Sequence, residues 1–302
     1  MRVGFRRDLE APGHLRRRVV SLPLPLQRRL NRRALPVRMY WWRPNKFRNF
    51  GDEIATDIIE RLWGLRCEHT PLASCELIGA GSLMELAAEH RRPGQQIDVW
   101  GSGFIKGGDD LDLDGLTVYA LRGPASCRRV GFEPADVPMG DPGMLASRAY
   151  AAAPRKTHRV GVVVHYVDES VDILEEVRRR PDHLLIDARQ SPRKVVEDIT
   201  SCELVLSSSL HGIIVAESFG IPAYWVQLST KVAGGRYKFR DYYRGTQRQV
   251  AQLSLQEFLD DEGSAARAIR DHQPIPDLRQ RQDALIRAFP HNRVIDLTPA
   301  RS

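Results

Sequence analysis

The chain has 302 residues, which is long for one compact core and favours two domains of ordinary size. Its composition is globular, with 42% hydrophobic and 27% charged residues, and no apolar run reaches the roughly 20 residues that a membrane-spanning helix needs. The N-terminal stretch also lacks the apolar segment of a signal peptide. The four cysteines form neither a CxxC pair nor a zinc-type spacing, so we expect reduced thiols in a cytosolic protein.

The net charge of +7 is concentrated near the N-terminus, where arginine clusters occur at 6–7, 16–18, 28–29 and 32–33. Residues 1–37 are therefore interpreted as a basic N-terminal extension. Two interpretations stay open for it: a solvated segment, or a segment held against anionic lipid head groups at a membrane surface. Nucleic-acid binding is not expected, because the chain shows no recognition motif and little aromatic interleaving.

Apolar strands alternate with helical patterns up to about residue 150, which predicts a first α/β domain over 38–150. The predicted strands end in Gly, Ser or Arg, and this pattern indicates a mostly parallel sheet. In chain order we predict a strand at 37–42, a helix at 53–64, a strand and Gly-rich turn at 75–84 with a helix to about 90, strands at 97–104 and 116–124, a short helix at 125–131 and a closing stretch at 135–145.

The alternation restarts after an Ala-rich stretch at 147–158, which is interpreted as a linker. A second α/β domain is predicted over 157–253, followed by a helical tail over 254–302. Its predicted elements are strands at 159–166, 183–188, 203–209 and 221–228, and helices at 168–180, at 191–202 with Ser191 as N-cap, and from 211. Two Rossmann-like α/β domains facing a central cleft are the expected architecture.

The turn at 207–212 follows a predicted strand and opens a predicted helix. Open parallel sheets bind ligands at the carboxyl ends of their strands, and a helix N-terminus suits an anion. His211 would point into the cleft, beside the hydroxyls of Ser207, Ser208 and Ser209, and Gly212 would let a ligand approach the backbone. The alternative is that His211 caps the turn or packs in the core.

The segment SSLHGIIVAESFGIPA at 208–223, together with NFGDE at 49–53, resembles the polysaccharide pyruvyl transferase family. The similarity covers about residues 38–245. Its supporting pieces are glycine-containing turns and a late KF-x-DYY element, which stand at 79–82, 101–103, 122–124, 140–142 and 238–243.

The resemblance implies transfer of the pyruvyl group of phosphoenolpyruvate to two sugar hydroxyls, with release of phosphate and no metal or cofactor. It also implies a GT-B-like pair of Rossmann-type domains. The chemistry needs a general acid to protonate the methylene carbon and a general base for the sugar hydroxyl, and a histidine can do either near neutral pH. His211 is the candidate, and Asp52 or Glu53 could supply the partner carboxylate.

The chain departs from the family pattern at Ser209, where many members have an arginine. The cations that bind the donor must then come from elsewhere, and four candidates follow from the sequence: Arg122, Lys231, Arg236 and Lys238. The further candidates for substrate binding are polar or small residues at predicted strand ends and turns: Asn49, Gly51, Gly81, Ser82, Ser102, His165, Ser208, Ser209 and Gly212.

Each of these residues also has a structural interpretation. Asn49 and Asp52 could only cap a helix, Arg122 could hold a turn, and His165 could be a core histidine. Asp141 before Pro142 is interpreted as a turn former, and Lys238 and Arg240 could lie in a solvated loop. The tryptophans Trp41 and Trp42 are interpreted as core residues, whereas Trp100 and Trp225 near strand ends could stack on a sugar.

The leading hypothesis is a pyruvyl transferase acting on a sugar unit of a bacterial surface polysaccharide, or on its lipid-linked precursor. The expected location is the cytoplasm, with peripheral contact to the inner face of the membrane through the basic extension. Two alternatives stay open: a GT-B-type glycosyltransferase that uses a nucleotide sugar, and a non-catalytic relative that kept the fold.

Overall fold

The computed structural model describes residues 35–43 and 47–291, which form two parallel β-sheets with helices around them. The basic extension therefore lies almost wholly outside the described residues. The first sheet consists of β1 (Val37–Tyr40), β2 (Cys67–His69), β3 (Leu77–Ile78), β4 (Ile97–Ser102) and β5 (Leu116–Leu121). The second sheet consists of β6 (His158–Val164), β7 (His183–Asp187), β8 (Cys202–Ser207), β9 (Ala223–Val226) and β10 (Gln252–Leu253).

Helices alternate with the strands of both sheets and then continue to the end of the described chain. Those of the first half are α1 (Phe50–Trp63), α2 (Met84–His90), α3 (Pro124–Arg129) and α4 (Ala146–Ala149), with short 3₁₀ helices at Leu72–Ser74 and Pro142–Leu145. Those of the second half are α5 (Leu174–Arg179), α6 (Pro192–Thr200), α7 (Leu210–Ser218) and α8 (Gly235–Gly245). The tail holds α9 (Leu255–Asp260), α10 (Ser264–Asp271) and α11 (Leu278–Arg287), and the last part of the predicted helical tail, 292–302, lies outside the described residues.

The two sheets share one topology. The first has the strand order β2-β1-β3-β4-β5 and the second β7-β6-β8-β9-β10, and every pairing is parallel. Both are the doubly wound order 2-1-3-4-5, in which the chain reverses its direction of winding between the first and third strands. Ligand sites of such sheets lie at this switch point, so the loops after β1 and β3 and those after β6 and β8 are the expected positions.

Local signals explain most of the helix boundaries. α1 begins earlier than predicted because the Asn49 side chain accepts a hydrogen bond from the Gly51 amide and caps the helix. It ends where Gly64 takes a left-handed conformation with φ of 73°. The Ser191 cap of α6 is confirmed, since its hydroxyl accepts a hydrogen bond from the Lys194 amide.

Three predictions about elements were wrong or incomplete. The helix predicted at 168–180 spans only α5, because the chain makes two turns before Leu174. The helix α8 was not predicted, and it covers the segment that had been considered as a solvated loop. The edge strands β2 and β10 were also missed; they have only three and two residues and carry few apolar side chains.

One hydrophobic core joins the two halves. It contains α1 residues such as Ile54 and Ile58 together with Ile213 and Ile214 of α7, all with no exposed surface. A backbone hydrogen bond also crosses between the halves, from the Phe50 amide to the Ala188 carbonyl. The N-termini of α1 and α7 are thereby held beside each other at one end of both sheets.

The tail returns to the first half. The indole of Trp100 donates a hydrogen bond to the Leu285 carbonyl, and Phe289 stacks on Trp63 with a ring separation of 4.2 Å. The four cysteines are free thiols, as predicted, and three of them are buried. Within 35–43 and 47–291, no helix has the length and apolarity needed to cross a bilayer.

Candidate active site

A pocket of about 430 Å³ opens where the loops after β1, β3, β6 and β8 meet, at the switch points of both sheets. Residues from both halves of the chain line it. The predicted site residues in its wall are Asn49, Asp52, Gly81, Ser82, Arg122, His165, Ser209, His211, Lys231 and Lys238. Further lining residues that the sequence analysis did not single out as site residues are Trp42, Glu85, Glu89, Lys106 and Tyr166.

The turn before α7 is built from the serine run. Ser207 accepts a hydrogen bond from the Ser209 amide at 3.0 Å and donates one to the Ser209 carbonyl at 2.7 Å. Gly212 packs directly on Ser207, and a Cβ there would overlap with the serine hydroxyl. No side chain caps α7, so its first amides and the Ser209 hydroxyl are presented at the pocket wall.

His211 stands in the first turn of α7, between two carboxylates. Its Nε2 atom lies 3.4 Å from Oδ2 of Asp141, but without the geometry of a hydrogen bond, so this buried nitrogen has no hydrogen-bond partner among the described residues. Gly51 at the start of α1 lies against the ring, and a Cβ at that position would overlap with Nδ1. A glycine is needed here because the imidazole occupies the space of a side chain.

Asp52 is the second carboxylate beside His211. Asn49 donates a hydrogen bond of 2.5 Å to its Oδ2 atom. Burial raises the pKa of Asp52 to about 6, although His211, Lys238 and the Asn49 amide act in the opposite direction. A carboxyl group with such a pKa can exchange a proton near neutral pH.

Arg122 is completely buried, and each of its nitrogens has a partner. Nε donates to Asp241 at 3.2 Å, Nη1 to the Ser82 hydroxyl at 2.7 Å and Nη2 to the Phe104 carbonyl at 2.6 Å. Asp241 belongs to α8 and also accepts hydrogen bonds from the amides of Ala125 and Ser126 at the start of α3. Arg122 therefore has a structural role in joining the halves, and it reaches the pocket through Ser82.

Lys238 lies one turn before Asp241 on the same helix and differs from Arg122. Its side chain is buried in the pocket wall, yet no carboxylate among the described residues lies within ion-pairing distance of its ammonium. Burial, and then the charge of Arg122, lower the pKa of Lys238 to about 8, while Asp52 and Asp168 act against this. The amine is thus mostly charged at neutral pH and available to an anion.

His165 follows β6 on the opposite side of the second switch point. The Ser208 hydroxyl accepts a hydrogen bond from the His165 amide at 2.9 Å and fixes the loop. Burial, Lys238 and His211 lower the pKa of His165 to about 3, so its ring is neutral at physiological pH. Nδ1 accepts a hydrogen bond from the Val167 amide, which leaves the ring proton on Nε2.

Several predicted residues lie behind the pocket wall. Glu53 points to Arg48, whose guanidinium lies 2.6 Å from its carboxylate. The Ser102 hydroxyl supports the Gly81 turn by donating to the Gly81 carbonyl and accepting from the Leu83 amide. Ser208 and Gly212 are buried behind the turn, while Lys231 is exposed at the pocket rim. Arg236 faces a separate surface depression near Ser229.

The interpretation of the tryptophans was wrong for three residues. Trp100 and Trp225 are buried and unable to stack on a sugar: Trp100 packs beside Trp63 and Phe289, and Trp225 stacks on Phe239 at 4.5 Å. Trp42, expected in the core, has 43% of its surface exposed because β1 ends at Tyr40. The core position of Trp41 is confirmed.

The residues that sequence reasoning undervalued are two aspartates. Asp141 does form the predicted turn, since it accepts a hydrogen bond from the Gly143 amide at 2.8 Å, but its other oxygen faces His211. Asp241 lies within the late KF-x-DYY element, which was the signal that could have found it. Among the described residues, no group of three or more His, Cys, Asp or Glu side chains could hold a metal ion.

Comparison with known proteins agrees with the resemblance seen in the sequence. A model of the polysaccharide pyruvyl transferase family matches residues 86–229, which include β4, the strands β6 to β9 and the whole of α7. The chain is 26% identical over 213 residues to the succinoglycan biosynthesis protein ExoV of Rhizobium meliloti (strain 1021), covering 68% of this chain and 64% of that protein.

A second relative is an uncharacterised protein of Acanthamoeba polyphaga mimivirus, 34% identical over 111 residues, which cover 35% of this chain and 39% of the relative. The chain thus matches less than two thirds of the length of either relative. The family match includes the strand end, the serine turn and the histidine around which the pocket is built. Both comparisons thus support the resemblance of the chain to the polysaccharide pyruvyl transferase family.

Proposed function

We propose that the protein transfers the pyruvyl group of phosphoenolpyruvate to two hydroxyls of a sugar, forming a cyclic ketal and releasing phosphate. The observation that carries this proposal is the pairing of two groups in one pocket: His211, with Nε2 unpartnered among the described residues, and the buried ammonium of Lys238, which lacks an ion-pair partner there. The first can move protons and the second can bind an anion, and the reaction needs both.

The donor carries a carboxylate and a phosphate, so its site must offer several positive or N–H groups. Lys238 supplies a charge that is little screened, because it is buried. The uncapped N-terminus of α7 supplies free amides and a favourable dipole. The Nε2–H group of neutral His165 adds a donor. These groups take over the anion binding that many relatives obtain from an arginine at the position of Ser209.

The reaction moves two protons. Protonation of the methylene carbon makes the central carbon electrophilic, and the first sugar hydroxyl adds to it and loses its proton. The C–O bond to phosphate then breaks, the second hydroxyl adds at the same carbon, and its proton leaves with the phosphate. His211 is proposed to exchange these protons, with the carboxylates of Asp141 and Asp52 beside it.

The GT-B-like arrangement of two Rossmann-type domains around a cleft is part of the same proposal. Two sheets of identical order, with switch-point loops lining one pocket, support it. The proposed domains are residues 38–150 and 157–253: the strands of the first sheet end at Leu121 and those of the second begin at His158.

The biological role is proposed from the relatives. The match to a succinoglycan biosynthesis protein supports a role in exopolysaccharide synthesis, with a sugar of the polysaccharide or of its lipid-linked precursor as acceptor. The proposed location is the cytoplasm, and four free cysteines are consistent with it. Peripheral contact with anionic lipids is proposed for the arginine-rich residues 1–37.

Thermal unfolding in the presence of separate ligands tests the donor. Phosphoenolpyruvate at about a hundred times its Kd should add about 2.7 kcal/mol to the free energy of unfolding, and UDP-glucose and GDP-mannose should add nothing. Phosphate release that depends on both phosphoenolpyruvate and a glycan acceptor would complete the assignment. Stabilisation by the nucleotide sugars alone would instead favour a glycosyltransferase.

A further inference from the structure

We infer that Trp42 and Tyr166 form the acceptor subsite, an aromatic surface at the pocket mouth on which a neutral pyranose ring stacks. The inference rests on the proposed transfer to a sugar and names where that sugar lies. Trp42 has 43% of its surface exposed, whereas the other four tryptophans are at most 9% exposed. Packing of the protein itself covers this indole only in part.

The surface is formed by both halves of the chain. Trp42 follows β1, and Tyr166 follows β6 across the pocket. The Trp42 side chain is close enough to the Tyr166 hydroxyl to interact with it. The Tyr166 ring is in turn held by Phe47 at 5.0 Å and His165 at 4.4 Å between ring centres. A fixed aromatic surface loses little conformational entropy when a ligand covers it.

The pocket lining carries charged groups of both signs, which would favour different substrates. The buried groups suited to an anion are Lys238, His165 and the start of α7, and the exposed Lys106 and Lys231 also belong to the lining. Glu85 and Glu89 stand one turn apart on α2 in the same lining. Glu85 is partly neutralised by Arg129 at 3.1 Å, and Glu89 has no arginine or lysine within ion-pairing distance among the described residues. These carboxylates repel an anionic ligand and accept hydrogen bonds from hydroxyls.

An aromatic face beside carboxylates matches the chemistry of a neutral sugar. The C–H face of a pyranose is apolar and packs on an indole or phenol ring, while its hydroxyls project toward acceptors at the side. Glu89 would repel the carboxylate of a uronic acid. The other large apolar residues that the structure leaves exposed, Leu35 and Ile269, do not line the pocket, so exposure and position coincide only at Trp42.

Tryptophan fluorescence tests the inference directly, because Trp42 is the only one of the five tryptophans that is exposed. In the full-length protein, acrylamide quenching should therefore report mainly on Trp42. Methyl glycosides of glucose, galactose and mannose serve as probes, with methyl glucuronide as the charged control. At least one neutral glycoside should protect Trp42 from quenching, and methyl glucuronide and phosphoenolpyruvate should protect it much less.

The variants Trp42→Ala and Trp42→Phe complete the test, with Ile269→Ala as the matched control at an exposed apolar position. With the neutral glycan that supports turnover, Trp42→Ala should raise the acceptor KM about tenfold, Trp42→Phe should raise it less, and Ile269→Ala should leave it unchanged. All three should keep the stabilisation by phosphoenolpyruvate.

Three results would overturn the subsite: no protection by any neutral glycoside, equal protection by glucuronide, or an unchanged acceptor KM in Trp42→Ala. Failure of the proposed function itself appears differently. Phosphoenolpyruvate would then not stabilise the wild-type protein, although a sugar could still protect Trp42.

Discussion

The pocket wall contains two buried cationic side chains, one with an ion-pair partner and one without such a partner among the described residues. Arg122, at the end of β5, has a partner for each nitrogen and is paired with Asp241. Lys238 lies three residues before Asp241 on α8 and has no ion-pair partner among the described residues. Asp241 of α8 therefore neutralises Arg122, whereas Lys238 of the same helix keeps its charge and faces the pocket.

The difference shows that burial of a charge does not by itself identify a ligand site. A buried ion pair with full hydrogen bonding fixes structure, whereas an unpaired buried charge costs stability and persists where function uses it. The same distinction applies to histidines and carboxylates here. Glu53 is paired with Arg48, but Nε2 of His211 has no hydrogen-bond partner in the described part of the chain.

The largest effect is expected at His211, whose Nε2 atom has no hydrogen-bond partner among the described residues. His211→Gln should lower kcat by about 100- to 10,000-fold, because it removes the group that exchanges protons. Stabilisation by phosphoenolpyruvate should remain. His90→Gln, at an exposed histidine of α2, is the control and should leave kcat unchanged. A loss of kcat below about threefold in His211→Gln would contradict the proton-transfer role.

Removing the ion-pair partner of Arg122 should lower the stability of the protein. Asp241→Ala leaves the Arg122 charge buried without an ion-pair partner and uncaps α3, so the free energy of unfolding should fall by about 3–5 kcal/mol. Urea denaturation measures this. Asp283→Ala breaks the exposed pair with Arg148 and should cost less than about 1 kcal/mol. Equal costs in the two variants would remove the distinction between the structural pair and the surface.

Removing the charge of Lys238, which has no ion-pair partner among the described residues, should not lower stability. Lys238→Met should leave the free energy of unfolding unchanged or raise it by up to about 2 kcal/mol, since it eliminates a buried charge without a partner. In the wild type the folded-state pKa of about 8 lies below the ordinary lysine value of 10.5. The unfolded chain then binds more protons between these pH values, so stability should rise with pH across that window.

In the variant Lys238→Met, the lysine no longer contributes a rise in the free energy of unfolding with pH. Urea denaturation of both proteins near pH 7 and near pH 10 gives the comparison. A variant that is several kcal/mol less stable than the wild type at pH 7 would show that Lys238 has a structural partner after all.

The smallest effect concerns Asp52, whose folded-state pKa of about 6 exceeds the ordinary value of 3.8. Between these pH values the folded protein holds the proton more tightly than the unfolded chain. The free energy of unfolding should therefore fall as pH rises through this window. Thermal unfolding of Asp52→Asn should lack this contribution, whereas Asp260→Asn at an exposed site of α9 should keep it.

Much of the fold could be predicted from sequence because its signals are local. Asn49 and Gly64 mark the two ends of α1, and Ser191 marks the start of α6. Continuous apolar runs predicted buried parallel strands such as β6, with its Val-rich sequence. His211 could be singled out because a strand end, a serine run and a glycine adjoin it.

The rest depends on contacts between distant segments. Most residues of α8, GRYKFRDYYRG, are polar or charged. Its apolar residues Phe239 and Tyr242 become buried only when the two halves of the chain come together. The unpaired state of Lys238 is a property of its surroundings, which no local pattern records. Trp42 was assigned to the core because it continues an apolar run, but the strand pairing stops two residues earlier.

The central claim is that Lys238 binds the anionic donor, and titration calorimetry with phosphoenolpyruvate tests it most directly. Near pH 7, Lys238→Met should bind at least about tenfold more weakly than the wild type, and Lys231→Met, at the exposed rim, should lose less than about threefold. Near pH 9.5 the wild type should approach the affinity of Lys238→Met, because its amine has lost the proton. Wild-type affinity in Lys238→Met at pH 7 would contradict the account.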